Sequence, residues 1–119
     1  MIKTLVFLPH PRHLAWLEGN FTFEDGRLVL LDPRQPQAVR FAGLRFCAAV
    51  RQHLGLDWDV TASGAVPAGQ IGLTLAIMPE AVAQPEGYHL RIIPEGITIH
   101  ARDAAGVFYG VCTLIQLVQ

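Results

Sequence analysis

The chain has 119 residues, with 9 basic against 10 acidic residues and a formal net charge of −1. That length supports one domain with one hydrophobic core, and the even balance excludes the basic footprint of a nucleic-acid binder or of a protein held on anionic lipid. Hydrophobic residues make up 51% and mean hydropathy is +0.34, high for a small domain, so an apolar patch or a missing partner is expected.

The opening stretch, MIKTLVFLPHPRHLAW, has an apolar run from Leu5 to Leu8 that Pro9 ends. A secretory leader needs about twice that length, so none is read there and a cytoplasmic location is the expectation. No stretch reaches the roughly 18 apolar residues of a membrane span. HLAWLEGNFTFEDGRLVLL then offers short strands broken by Gly19-Asn20 and Asp25-Gly26. Phe21 and Phe23 alternate with polar neighbours, a strand period.

After DPRQP, Pro36 suits the first turn of a helix, where its missing N–H would be unpaired anyway. This helix is predicted to run to about Leu54, with Gly55 closing it in the left-handed position. Val39, Ala42, Phe46, Ala49, Val50 and Leu54 form its core stripe, Phe41 and Leu44 widen it, and Arg40, Arg45 and Arg51 face water. WDVTA and IGLTLAIM read as strands separated by the loop SGAVPAG. PEAVAQPEG is a further loop. YHLRIIPEGITIHARD reads as a hairpin around Pro94-Glu95-Gly96, with its register open because two loop lengths fit.

The last stretch, DAAGVFYGVCTLIQLVQ, is a helix that Asp103 can cap. It is apolar nearly all round, with Thr113, Gln116 and Gln119 as a narrow polar stripe and Tyr109 amphipathic. One sheet and one neighbouring helix are not expected to cover it, so it faces more protein than this chain supplies, or a second copy. The order strands, helix, strands, hairpin, helix predicts an α+β sandwich: a mainly antiparallel sheet with two helices packed on one face.

Residues with chemical potential are scattered. His10 and His13 flank Pro11 without an accompanying cysteine, too loose a set for a metal. His89 and His100 lie on opposite hairpin arms, and two ligands do not make a site. Asp57 and Asp59 flank Trp58, a pairing that could hold a cation or do acid/base work, but at a strand start they read as solvated turn residues. Trp16 and Trp58 could stack on sugar rings, although single tryptophans more often fill a core. Cys47 and Cys112 read as two buried thiols rather than a disulfide framework. Ser63, in a loop, lacks a histidine–acid set. Gly106 and Gly110, four apart, mark a close approach of the last helix to a strand or to another domain. No catalytic, cofactor-binding or metal-binding residue is assigned.

The final third carries a resemblance. Gly87-Tyr88, Gly96, Ile97-Thr98-Ile99, Ala105-Gly106-Val107-Phe108-Tyr109-Gly110, Thr113-Leu114 and Gln116-Leu117 resemble the end of the non-catalytic N-terminal domain of glycoside hydrolase family 20, the β-N-acetylhexosaminidases. LPHPRHLAWLEGNFTF is similar to that family's opening. Related accessory domains precede barrels in α-glucuronidases and O-GlcNAcase-like enzymes, and the Phe-Tyr-Gly wording favours family 20. The resemblance implies a single accessory domain over residues 1–119, followed in its parent by a TIM barrel. There an adjacent Asp-Glu pair supports substrate-assisted hydrolysis of terminal N-acetylhexosamine, without cofactor. The sequence has no Asp-Glu step, so this chain alone is not expected to be an enzyme and no catalytic residue transfers. The implied partner is the barrel of the same chain, met through the terminal helix, and the native chain is expected to continue past Gln119. Two other readings stand beside it: a stand-alone carbohydrate-binding or protein-interaction module, and a domain that dimerises through the bare helix.

Overall fold

A computed structural model describes residues 21–118. Residues 1–20 and 119 lie outside it, and with them His10, His13, Trp16 and the similarity at the chain's opening.

The described elements are β1 (Leu28–Leu31), α1 (Pro36–Leu54), β2 (Asp59–Thr61), β3 (Ile71–Ile77), β4 (Tyr88–Ile93), β5 (Gly96–Ala101) and α2 (Ala104–Val118), with a short 3-10 turn at Ala68–Gln70. Both helices pack on one face of a single five-stranded sheet. Gly43 of α1 sits over Leu31, Val29 and Val60, and Gly110 of α2 over Ile99 and Tyr88. Between the layers Val29, Leu73, Leu75, Ile97, Ile99, Phe46, Val111 and Leu114 are almost wholly removed from water. Burial of this apolar surface is the main favourable term in the fold. The α+β sandwich with two helices on one face is thus present.

The sheet is mostly parallel, which corrects the expectation of a mainly antiparallel one. Its order is β2-β1-β3-β5-β4. β1 runs parallel to β2 and to β3, β3 runs parallel to β5, and only β4–β5 is antiparallel. Three connections account for this, one of them the stretch 62–70, which crosses β1 from β2 and so sets β3 parallel to β1. Helix α1 carries the chain back between β1 and β2, a crossover that makes neighbours parallel. The loop after β3 then skips one strand position, and the hairpin turns β5 back into the vacant slot, alongside β3. Strand patterning shows which face is buried but not which strands are neighbours.

Local punctuation mostly follows the sequence. Pro36 opens α1, and Gly55 closes it at φ 70°, its N–H donating to the Arg51 carbonyl. Gly26, at φ 77°, makes the turn before β1. The hairpin register is now fixed: Ile93 pairs with Gly96, leaving Pro94 and Glu95 as a two-residue turn. Gly96 is therefore the first residue of β5, with no positive φ. Phe21 and Phe23 form no strand. They join an aromatic cluster, Phe21 packing edge-on to Trp58 at 6.4 Å and Trp58 onto Phe46 at 5.8 Å. Their alternation reflects burial of both rings at the end of the helix–sheet interface, not a ladder.

Past the end of β1 lies a buried carboxylate. Asp32 is 2% exposed. It accepts hydrogen bonds from the Ile77 N–H, the Arg34 N–H and the Arg34 guanidinium, which in turn donates to the Ile77 carbonyl. Burial works against its ionisation, but the bonds from Arg34 and Ile77 and the charge of Arg34 outweigh it and hold Asp32 below the usual carboxylate range. A depressed folded-state pKa stabilises the fold above the unfolded value and ceases to do so as pH falls through the folded one. The stability gap between the wild type and Asp32→Asn is therefore expected to narrow below about pH 4. Urea unfolding between pH 7 and 3 reads this directly, and a constant gap would remove Asp32 from the acid response.

Candidate functional site

Helix α2 shows how the sequence builds its tightest contacts. Asp103 caps it, one carboxylate oxygen accepting from the Gly106 N–H at 2.8 Å and the other from the Glu86 N–H at 3.0 Å. Gly106 then lies against Gly87 and Ala101, and Gly110 against Ile99 and Tyr88. The close approach foreseen at these glycines is to the strands of this domain. One turn further on, the Tyr88 hydroxyl meets the Thr113 hydroxyl at 2.6 Å in the core. Burial pushes the Tyr88 phenol up to about 12, against the helpful bond from Thr113. Gly87, Tyr88, Gly106, Gly110 and Thr113 therefore interlock the hairpin with α2 and are not available to a ligand.

Eight of the fifteen residues of α2 are buried, so the chain covers more of this helix than its all-round apolar sequence suggested. Most of the other seven are half-buried, and Gln116 is exposed. The bare apolar surface is instead led by α1. Phe41 is 65% exposed, Leu44 42% and Leu54 38%, which corrects their assignment to the core stripe. Phe41 stacks on Phe108 of α2, with ring centroids 5.9 Å apart and planes at 21°. The Arg45 guanidinium lies over the other part of this pair, 5.8 Å from the Phe108 centroid. The outer seam of the two helices thus presents two stacked rings, a leucine and an arginine. Aromatic and arginine side chains of this kind anchor protein interfaces.

The remaining candidates stay dispersed. Asp57 forms an ion pair with Arg51, and Asp59 accepts from the Val60 N–H. Trp58 is 5% exposed and its indole N–H donates to the Glu24 carbonyl at 2.7 Å, so its ring cannot serve as a sugar platform. His89 and His100 are opposite each other across the hairpin, half-buried on the sheet face away from the helices. Burial and the neighbouring charge of Arg91 lower the His100 pKa. Among the described residues no three His, Cys, Asp or Glu side chains gather as metal ligands. Cys47 and Cys112 are free thiols. Burial, aided by the charge of Asp59, pushes the Cys47 thiol up to about 11, well away from nucleophilic thiolate. The Ser63 hydroxyl accepts from the Ala65 N–H within its loop. Among the described residues, no helix is long and apolar enough to cross a membrane.

The motif residues of this α+β sandwich lock its own parts together, and its outer helical seam is apolar, an arrangement that suits an accessory domain. The chain belongs to a known family of this kind: the model of glycosyl hydrolase family 20, domain 2, matches residues 5–119. Among solved structures it is similar to Streptomyces plicatus N-acetyl-beta-hexosaminidase in complex with Thio-NAglucal, with 31% identity and a TM-score of 0.73 over 93% of this chain. The GH20 beta-N-acetylhexosaminidase from Streptomyces coelicolor A3(2) matches at 31% identity and a TM-score of 0.62 over 83% of this chain. Vibrio harveyi GH20 exo beta-N-acetylglucosaminidase in complex with N-acetylglucosamine shares the fold at 18% identity, with a TM-score of 0.68 over 98% of this chain. The chain spans 21%, 18% and 17% of the lengths of those three structures. No curated protein matches it.

Proposed function

We propose that this domain packs against the catalytic barrel of a β-N-acetylhexosaminidase, stabilising and orienting it, while the barrel hydrolyses terminal N-acetylhexosamine residues. The domain supplies no catalytic group and binds no cofactor. Packing takes place through the outer seam of α1 and α2, whereas the sequence pointed chiefly to α2. The observation that carries this reading is the Phe41–Phe108 stack, with Phe41 65% exposed beside Leu44. Large rings left in water gain by burial, at about 25 cal/mol per Å² of apolar area covered, and such a patch on a small domain marks an interaction surface. The similarity to enzymes named as β-N-acetylhexosaminidases supports the choice of partner and substrate class.

The test uses the full-length enzyme. Phe41→Asp is expected to leave the initial rate of N-acetylglucosamine release from a chromogenic substrate nearly unchanged at low temperature, and to speed thermal inactivation severalfold. Because Phe41 is mostly exposed within the domain, the variant domain keeps its own fold, which circular dichroism verifies. Inactivation at the wild-type rate would overturn the reading.

A further inference from the structure

The charges of the helical layer are one-sided. Helix α1 carries Arg40, Arg45, Arg51 and His53 and no acidic residue, and α2 carries no charged residue at all. All ten acidic residues of the chain lie outside the two helices. Arg51 is answered by Asp57. Arg45 has no carboxylate partner among the described residues. Its guanidinium carbon stands over Phe108, 5.8 Å from the ring centroid, and its planar fork of N–H donors is turned to no hydrogen-bond acceptor among the described residues. It borders a hollow of about 340 Å³ between the helices, lined by Ala48, Ala49, Gln52, His53 and Ile115. The lining is mixed, with alanine and isoleucine beside arginine, histidine and amide side chains.

We propose that a carboxylate side chain of the catalytic domain seats in this α1–α2 hollow and pairs with Arg45, fixing how the accessory domain is docked. The inference rests on the docking reading above and adds the chemistry of the partner. A hollow offering cationic donors and no anion selects an acidic group. A planar guanidinium binds a carboxylate bidentately, which sets orientation as well as attraction. Closure of the interface around the pair removes water and strengthens it relative to an exposed surface pair.

Two substitutions at Arg45 separate charge from shape. Arg45→Gln and Arg45→Glu both remove the guanidinium from Phe108, and they are close in size. The residues at three and four positions on either side, Phe41, Ala42, Ala48 and Ala49, are uncharged. Within the domain, then, the glutamate meets no acidic residue on either helix and is not repelled. In the full-length enzyme, Arg45→Glu is expected to be inactivated by heat roughly five- to tenfold faster than Arg45→Gln in 0.05 M salt. The ratio is expected to shrink toward one in 1 M salt, where the Debye length falls to about 3 Å. Equal rates for the two variants at low salt would overturn the carboxylate. If Phe41→Asp also behaved as wild type, the docking reading itself would fall. If Phe41→Asp were labile while the two Arg45 variants matched, docking would stand and only the carboxylate would go.

Discussion

Leu114→Ala is expected to lower the unfolding free energy of the domain by about 2–5 kcal/mol, the largest single effect in α2. Leu114 is fully buried in the hydrophobic core. Truncation removes three methyl-sized groups and leaves a cavity, and the close-packed surroundings can only partly collapse into it. Phe108 sits two turns earlier on the same helix but is half-exposed at the seam. Phe108→Ala is therefore expected to cost the domain less, despite the larger side chain. Urea denaturation of both variants tests the ordering. Losses under about 0.5 kcal/mol for both would mean that α2 is not part of the core.

Gly106→Ala comes second. A β-carbon there would stand 3.0 Å from the Ala101 β-carbon and closer still to the Gly87 carbonyl oxygen. The latter is backbone and cannot rotate away, so α2 must shift off the hairpin. Alanine would gain about 1 kcal/mol in helix propensity, and the forced displacement is expected to cost about 3 kcal/mol, the upper end for overpacking. A net loss on the order of 2 kcal/mol follows from the difference between them. Gly64→Ala is the control, since nothing lies within 4 Å of its β-position, and it is expected to change stability by no more than about 0.5 kcal/mol. An unaltered midpoint for Gly106→Ala would show that the helix and hairpin are not in contact there.

What the sequence made legible was mostly local. Pro36 and Gly55 bounded α1, Asp103 started α2, and Pro94-Glu95 placed the hairpin, because each acts through its own backbone geometry. The exposure of Phe41 and Leu44 could have been found by helical angle. At about 100° per residue, Phe41 lies roughly 140° and Leu44 roughly 160° from Phe46, the centre of the buried stripe. Hydrophobicity alone hid this. The parallel pairing was not legible, because alternation along β3 and β5 is the same whichever way a neighbour runs. Nor was the Asp32 clasp: an acid after an apolar strand reads as a turn residue until Ile77, 45 positions away, is seen to donate to it.

The placement of β5 has a consequence for the order in which the chain can be completed. It is the fourth strand across the sheet but the last to be made. Until β5 and α2 have emerged from the ribosome, the β3 side that β5 pairs with is a bare edge of seven residues, and its Leu73, Leu75 and Ile77 lack the α2 side of their cover. Such an edge is a template for pairing with other nascent chains. Residues 96–118 therefore act as a closing segment of this domain: they fill the slot beside β3 and lay α2 over it. A chain held before that segment has emerged from the ribosome is far more prone to aggregation than one held after it has emerged.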